Sequence, residues 1–225
     1  HFRYGRDVVP ETIYPLMDDF YRDLGESYRK VVRAFADAGC RYLQLDEVNL
    51  AYLCDPSLRA HITARGDDPA TLPKIYADMI NAAISDIPAD MTITMHLCRG
   101  NFRSSFAASG GYEPVAEVLF NAIKVHGYFM EYDSDRAGGF EPLRFVPKDK
   151  TVVLGLVTSK AGALEGRDEI KRRIEQAAKF APLDQLCLSP QCGFASTEEG
   201  NVLTEDEQWA KLRMIVEIAK KVWGK

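Results

Sequence analysis

Short apolar runs recur along the chain, and each of them ends in polar or chemically active residues. Nearly continuous apolar runs are typical of parallel strands that are buried on both faces. The pattern predicts strands at Tyr42–Asp46, Thr92–Leu97, Gly127–Tyr132, Val152–Val157 and Gln185–Ser189.

Helical periodicity occupies the segments between these strands. Apolar residues at helical spacing predict helices at Leu24–Ala38, Pro73–Ile84, Tyr112–Asn121, Arg167–Phe180 and Glu205–Lys220. Gly39 suits a helix C-terminus, and Thr204 suits an N-cap. The segment His1–Glu26 has no strand signal, and we expect it to be a loop that leads into a helix.

The alternation of strands and helices predicts an α/β fold with right-handed crossovers, as either an open doubly wound sheet or a (β/α)8 barrel. The reactive residues favour the barrel, because barrel enzymes carry their catalytic groups at the C-terminal ends of strands. Residues at such positions are Asp46, His96, Glu131 and Cys192. We therefore predict a (β/α)8 TIM barrel, of which residues 1–225, as a single domain, hold about the last five strands. The N-terminal strands, about three in number, would then precede His1.

Composition narrows the range of partners and compartments. The net charge is -5, with 28 Lys and Arg against 33 Asp and Glu and no dense basic cluster, so we expect no nucleic-acid partner. No apolar run approaches the roughly 20 residues that span a bilayer, and no signal peptide opens the chain. An odd number of cysteines, five, fits a reduced, cytoplasmic compartment. The sequence does not predict the oligomeric state.

Four residues with metal-binding side chains follow the predicted strands. His96 and Cys98 are alternate residues and can face one side of a strand. Glu131 lies at the end of the third predicted strand, and Cys192 lies in a turn just after the fifth. One His, two Cys and one carboxylate suit tetrahedral Zn²⁺ better than Mg²⁺ or Ca²⁺. A buried His with two cysteines acting as small core hydrophobes explains the same pattern, and the spacing alone leaves both interpretations open.

Four short motifs occur along the chain in this order: Leu43-Gln44-Leu45-Asp46-Glu47, His96-x-Cys98, Glu131-Tyr132-Asp133 and Pro190-x-Cys192-Gly193. Taken together, they resemble the catalytic barrel of the cobalamin-independent methionine synthase family, and most closely its short, single-barrel members. The likeness covers nearly all of the chain and implies that His96, Cys98, Glu131 and Cys192 bind zinc.

The resemblance also implies an activity. It implies a cytoplasmic methyltransferase of methionine biosynthesis that converts homocysteine, activated as a zinc thiolate, to methionine. Asp46 would hold the amino group of homocysteine, and the methyl donor would be 5-methyltetrahydrofolate or its polyglutamate. The predicted donor set, two thiolates and one carboxylate, carries three negative charges against the +2 charge of the ion. A zinc ion in this electron-rich site should keep a bound sulfur nucleophilic and is less suited to activating water.

The chain departs from the family pattern after the penultimate strand. The long enzymes have a His-Ser-Pro run there, whose His is implicated in proton transfer, whereas this chain has Thr158-Ser159-Lys160. The identity of the methyl donor therefore stays open. Arg99 and Arg103 follow the His96-x-Cys98 pair, and they could bind an anionic group or form salt bridges at the rim.

The remaining polar and sulfur-containing residues have less defined roles. Asn101 is a further candidate for substrate contact, as is Glu47, although strand alternation puts Glu47 opposite Asp46 and favours a role in orienting a ligand. Cys40 and Cys187 are expected in the core, Cys54 in a structural role, and His61 and His126 as ordinary surface or helix-end residues.

Two other functions are compatible with the same residues. One is a zinc-dependent alkyltransferase for another thiol, such as coenzyme M with an epoxide; Asp46 favours an amino-acid thiol, whereas Arg99 and Arg103 suit a sulfonate. The other is a structural zinc domain. Ligands from widely separated strand ends, one of them a carboxylate, argue for an exchangeable site instead.

Overall fold

Five parallel strands form one sheet in the order in which they occur along the chain. The computed structural model of the protein describes residues 5–224. The strands are β1 (Tyr42–Glu47), β2 (Thr92–Leu97), β3 (Gly127–Glu131), β4 (Thr151–Val157) and β5 (Leu186–Pro190). A doubly wound sheet reverses its strand order at a switch point, whereas a barrel keeps sequential order. The sequential order confirms the predicted α/β barrel class.

Seven α-helices lie along the described residues: α1 (Met17–Asp37), α2 (Asn49–Tyr52), α3 (Pro56–Ala64), α4 (Leu72–Ala83), α5 (Glu113–Ala122), α6 (Arg167–Ala177) and α7 (Glu205–Trp223). Short 3-10 turns lie at Gly5–Val8, Asp135–Ala137, Glu141–Phe145 and Leu183–Gln185. All five predicted helices are present, with shifted ends. The predicted N-cap of α7 is confirmed: the Thr204 hydroxyl accepts a hydrogen bond from the Glu207 N–H, and the Glu207 carboxylate accepts one from the Thr204 N–H.

The predicted loop before the first helix is wrong from Met17 onward, where α1 begins. Residues 1–4 of that prediction lie outside the described part. The first turn of α1 contains Asp18 and Asp19, which stabilise a helix N-terminus. Helix α3 was not predicted either, although Asp55 is its N-cap and Pro56 is its first residue. Both signals were present in the sequence.

The two faces of the sheet differ in character. On the face toward the helices, side chains such as Ile93, Met95 and Tyr128 have no exposed surface and form the core. The alternate residues, including Asp46 and His96, lie on the opposite face. Asp46 of β1 and His96 of β2 are direct neighbours in the register of the two strands. The chemically active side chains therefore share the face that the helices do not cover.

The prediction that Cys187 lies in the core is wrong, because its side chain is exposed. Its register opposite Val153 puts it on the sheet face away from the helices. Cys40 packs against the edge of the core, and its thiol donates to the carbonyl of Tyr42 over 3.1 Å. Cys54, for which a structural role was predicted, is buried, and its thiol lies 3.4 Å from the Leu50 carbonyl oxygen. His61 and His126 are exposed, which agrees with their predicted ordinary roles.

Between residues 5 and 224, no helix has both the length and the apolar character that crossing a bilayer requires.

Candidate metal centre

Four candidate ligands converge at the C-terminal ends of three strands. His96 lies in β2 and Cys98 follows it, Glu131 ends β3, and Cys192 lies two residues beyond the end of β5. One ligand atom from each of these residues lies within 4.8 Å of the other three. The convergence follows from the topology, because the carboxyl ends of parallel strands meet at one edge of a sheet.

The geometry of the four donors fits a tetrahedral zinc ion. Two sulfurs bound to zinc at about 2.3 Å with a tetrahedral angle lie about 3.8 Å apart. The sulfurs of Cys98 and Cys192 are 3.9 Å apart. The buried His96 Nε2 lies 3.6 Å from Glu131 Oε1 and has no hydrogen-bond partner in the structure. A buried polar atom without a partner lowers the stability of the fold, and a bound metal ion would be a partner for His96 Nε2.

The protonation of the metal-free cluster follows from its crowding. A hydrogen bond from the Cys98 thiol lowers the pKa of Cys192 to about 4, although burial opposes this, and the same hydrogen bond and burial raise the pKa of Cys98. Burial alone would lower the pKa of His96, but its contacts with Cys192 and Glu131 raise it to about 10. A zinc ion that bound here would have to displace protons from Cys98 and His96, so its affinity would rise with pH.

Hydrogen bonds fix both the backbone and the carboxylate of Glu131. The Tyr112 hydroxyl donates to the carbonyl of Glu131 over 3.1 Å and accepts the N–H of the same residue over 3.0 Å. The Arg99 N–H donates to Glu131 Oε1 over 2.9 Å. Burial alone would raise the pKa of Glu131, but its contact with His96 and hydrogen bonds from the Arg99 N–H and Arg136 lower it. The carboxylate is therefore charged and fixed in orientation.

Arg99 lies beneath the site and not at its rim. Its side chain has no exposed surface, its Nε donates to the Tyr112 hydroxyl over 3.2 Å, and its guanidinium carbon is 4.3 Å from the centre of the Tyr112 ring. A salt bridge at the rim does not match this position. The predicted contact of Arg99 with an anionic group stays a prediction. Arg103 is exposed at the tip of the same loop, with a positive φ of 43°.

Replacing Tyr112 by Phe should destabilise the protein by about 1–3 kcal/mol, because the buried N–H of Glu131 then loses its partner. Urea unfolding of the variant and the wild type measures the difference. Tyr28→Phe is the control, since Tyr28 is 53% exposed. If both variants were equally stable, the Tyr112 hydroxyl would not be the anchor of Glu131.

Arg136 is a residue of the site that the sequence analysis missed. Its Nη2 donates to Glu131 Oε2 over 2.6 Å and to Asp133 Oδ1 over 2.8 Å. The run from Glu131 to Arg136 is rich in acidic residues, but a separation of five positions matches no regular periodicity. Only the turn at Asp135–Ala137 folds the arginine back onto the end of β3.

Asn101 and Lys160 join the loops that carry the ligands. The Asn101 amide donates to the Gly193 carbonyl over 2.7 Å and to Ser196 Oγ over 2.9 Å. Lys160 donates to Asn101 Oδ1 over 3.2 Å, and burial lowers its pKa. The loop after β4, which contains the Thr158-Ser159-Lys160 run, therefore braces the loops of Cys98 and Cys192.

Asp46 and Glu47 have different environments, as strand alternation predicts. Asp46 is exposed and pairs across β1 and β2 with His96, and partial burial raises its pKa. The Glu47 carboxylate accepts the N–H groups of Asn49 (2.6 Å) and Leu50 (2.8 Å) at the start of α2, and burial raises its pKa to about 7. Glu47 therefore caps a helix, and only Asp46 faces the candidate metal centre.

Comparison with known proteins agrees with this site. Residues 17–221 match the family model described as "Cobalamin-independent synthase, Catalytic domain". The uncharacterized protein YxjH of Bacillus subtilis is 56% identical over 218 residues, which are 96% of this chain and 58% of that protein. A 5-methyltetrahydropteroyltriglutamate–homocysteine methyltransferase of Bacillus velezensis is 24% identical over 198 residues, which are 88% of this chain and 23% of that enzyme.

A solved structure with 43% identity matches nearly the whole chain. The crystal structure of a Listeria monocytogenes protein, described as a vitamin-B12 independent methionine synthase, has a TM-score of 0.72 and 43% identity. The match covers 94% of this chain and 58% of that protein. The chain thus spans a little over half the length of these more similar relatives.

Proposed function

Because the chain belongs to the cobalamin-independent methionine synthase family, we propose that it carries the zinc centre of a methyltransferase that converts homocysteine to methionine. The observation that carries this proposal is the cluster of His96, Cys98, Glu131 and Cys192 at the strand ends, with Asp46 beside it. The Bacillus velezensis relative named above supports both the acceptor and a folate-type donor, 5-methyltetrahydrofolate or its polyglutamate.

The four donors would hold Zn²⁺, as their spacing allows. Bound zinc would keep a substrate thiol deprotonated at neutral pH, where a free thiol with a pKa of about 8.5 is mostly protonated. The chain supplies a donor set with three negative charges, counting both thiolates and Glu131. The arrangement therefore suits alkyl transfer to sulfur better than hydrolysis.

Asp46 would orient the substrate. Its carboxylate is exposed on the sheet face that carries His96, and neighbouring strands lie about 4.8 Å apart. Homocysteine separates its amino group from its thiol by four covalent bonds, so it can span neighbouring strands. An ammonium group on Asp46 would therefore leave the thiol at the metal centre.

Replacing Asp46 by Asn should raise the KM for homocysteine by about tenfold or more, the equivalent of one lost ion pair of about 1.4 kcal/mol. The zinc content should not change, because Asp46 is not among the four clustered donors. Steady-state kinetics and metal analysis measure the two quantities. Asp90→Asn is the control, since Asp90 pairs with Arg41 beyond the opposite end of β1. An unchanged KM would mean that Asp46 does not bind the amino group.

The proposed function is tested by methyl transfer with the full-length, zinc-loaded protein. Homocysteine is the acceptor, and 5-methyltetrahydrofolate, its polyglutamate and methylcobalamin are tested in parallel as donors, with methionine quantified. Methionine from one donor identifies both substrates. If no donor yields methionine and homocysteine leaves the X-ray absorption of zinc unchanged, the acceptor is another thiol, and coenzyme M is the next one to test.

A further inference from the structure

The two carboxylate oxygens of Glu131 have different partners. Oε1 accepts the Arg99 N–H over 2.9 Å and lies 3.6 Å from His96 Nε2, among the candidate ligands. Oε2 lies 2.6 Å from Arg136 Nη2. The Glu131 side chain has no exposed surface, and that of Arg136 is 9% exposed. Glu131 therefore has one oxygen that faces the other candidate ligands and one that is paired with a buried cation.

Contacts on several sides hold Arg136 in this position. Its Nη2 also donates to Asp133 Oδ1 over 2.8 Å, and its Nη1 lies 3.4 Å from the Ala108 carbonyl oxygen. The guanidinium carbon is 4.7 Å from the centre of the Phe106 ring, and the Arg136 carbonyl accepts the Gly110 N–H over 2.7 Å. The loop after β2 thus covers the arginine, and its contact with Glu131 does not depend on an exposed, flexible side chain.

We propose that Arg136 is a positioning residue that retains Glu131 when a substrate thiol takes the place of this carboxylate at the metal centre. The proposal rests on the proposed function. A buried carboxylate that leaves a metal ion is costly unless another charge compensates it. Arg136 provides that charge without a conformational change, because it already binds Oε2. Glu131 is therefore the ligand that is easiest to displace.

The proposal makes opposite predictions for two properties of Arg136→Gln in the full-length protein. Without the guanidinium, zinc becomes the main charge that compensates Glu131, so zinc should bind at least as tightly as in the wild type. Displacement of Glu131 becomes less favourable, so homocysteine should titrate the X-ray absorption change of zinc at a concentration about tenfold higher. Arg136→Lys keeps the charge and should recover part of the homocysteine response.

Further variants test whether Arg136 acts through the charge of Glu131. Arg144→Gln is the matched control, since Arg144 forms an exposed ion pair with Glu113 and should leave both properties unchanged. In a Glu131→Gln background, Arg136→Gln should have no further effect on the homocysteine titration, because no charge remains to be compensated. If Arg136→Gln does not fold, Arg136→Lys replaces it in the same measurements, with the same directions expected.

Weaker zinc binding in the Arg136 variant would overturn the proposal, because the loss of a purely structural partner lowers metal affinity, typically by about 10–100-fold. An unchanged homocysteine titration, or a further loss in the Glu131→Gln background, would overturn it as well. If the wild type itself does not respond to homocysteine, the proposed acceptor fails. The zinc affinities still test Arg136 in that case, because they require no thiol.

Discussion

Replacing Cys98 by Ser should remove zinc and methyl transfer together. A serine hydroxyl stays protonated at neutral pH and is a poor ligand for zinc next to a thiolate. Loss of a direct ligand should lower zinc affinity by more than the roughly 100-fold upper range seen for partners of ligands. Metal analysis and the methionine assay measure both effects, and Cys192→Ser should behave in the same way because its sulfur lies 3.9 Å from that of Cys98.

Cys40→Ser is the control for the cysteine variants. Cys40 lies before the start of β1, at the opposite end of the sheet from the metal centre, and a serine can still donate to the Tyr42 carbonyl. Circular dichroism of Cys98→Ser separates an exchangeable zinc site, for which the fold persists, from a structural one, for which the fold is lost. If either metal-centre variant kept both zinc and activity, that cysteine would not be a ligand.

Gly155→Ala should destabilise the protein by about 1–3 kcal/mol and also weaken zinc binding. A Cβ at this position of β4 would lie 2.6 Å from Gln191 Cα and 2.8 Å from the Met130 carbonyl oxygen. Both atoms belong to the backbone, so neither can rotate away. Relief requires a shift of the segment just before Cys192, which carries a candidate ligand. Urea unfolding and zinc competition with a chelator measure the two effects.

Gly111→Ala is the matched control for Gly155→Ala. Its Cβ would have no atom closer than 3.6 Å, an ordinary contact distance. If the two variants lost equal stability, close backbone approach at Gly155 would not be the cause.

The strands were predictable because their burial leaves a simple mark on the sequence. Each predicted strand differs from the observed one by no more than one residue at either end; Tyr42–Glu47, for example, extends one residue beyond the predicted Tyr42–Asp46. Strands β2, β3 and β4 are mostly buried, and buried parallel strands become nearly continuous apolar runs. The candidate ligands lie at or just after the ends of these strands, and such residues share one edge of a parallel sheet. That about three further strands precede His1 stays a prediction.

The direction of long side chains was not predictable in the same way. Arg99 follows a ligand in sequence, but the course of the loop after β2 turns it beneath the site, onto Tyr112. Arg136 is five positions from Glu131 and meets it only because a 3-10 turn reverses the chain. Cys187 has the sequence neighbours of a core residue, yet its register puts it on the face away from the helices.

The fold class and the strand positions could thus be predicted from the sequence, and the four clustered donors could be predicted through the family resemblance. These follow from local hydrophobic patterns and from motifs that stand at strand ends. The groups that hold the donors in place became visible in the three-dimensional fold: Tyr112 on the backbone of Glu131, Arg136 on its second oxygen, and Asn101 between the loops of Cys98 and Cys192. These contacts join residues of different loops and turns, and their geometry depends on how the chain folds back in three dimensions, which residue spacing does not encode.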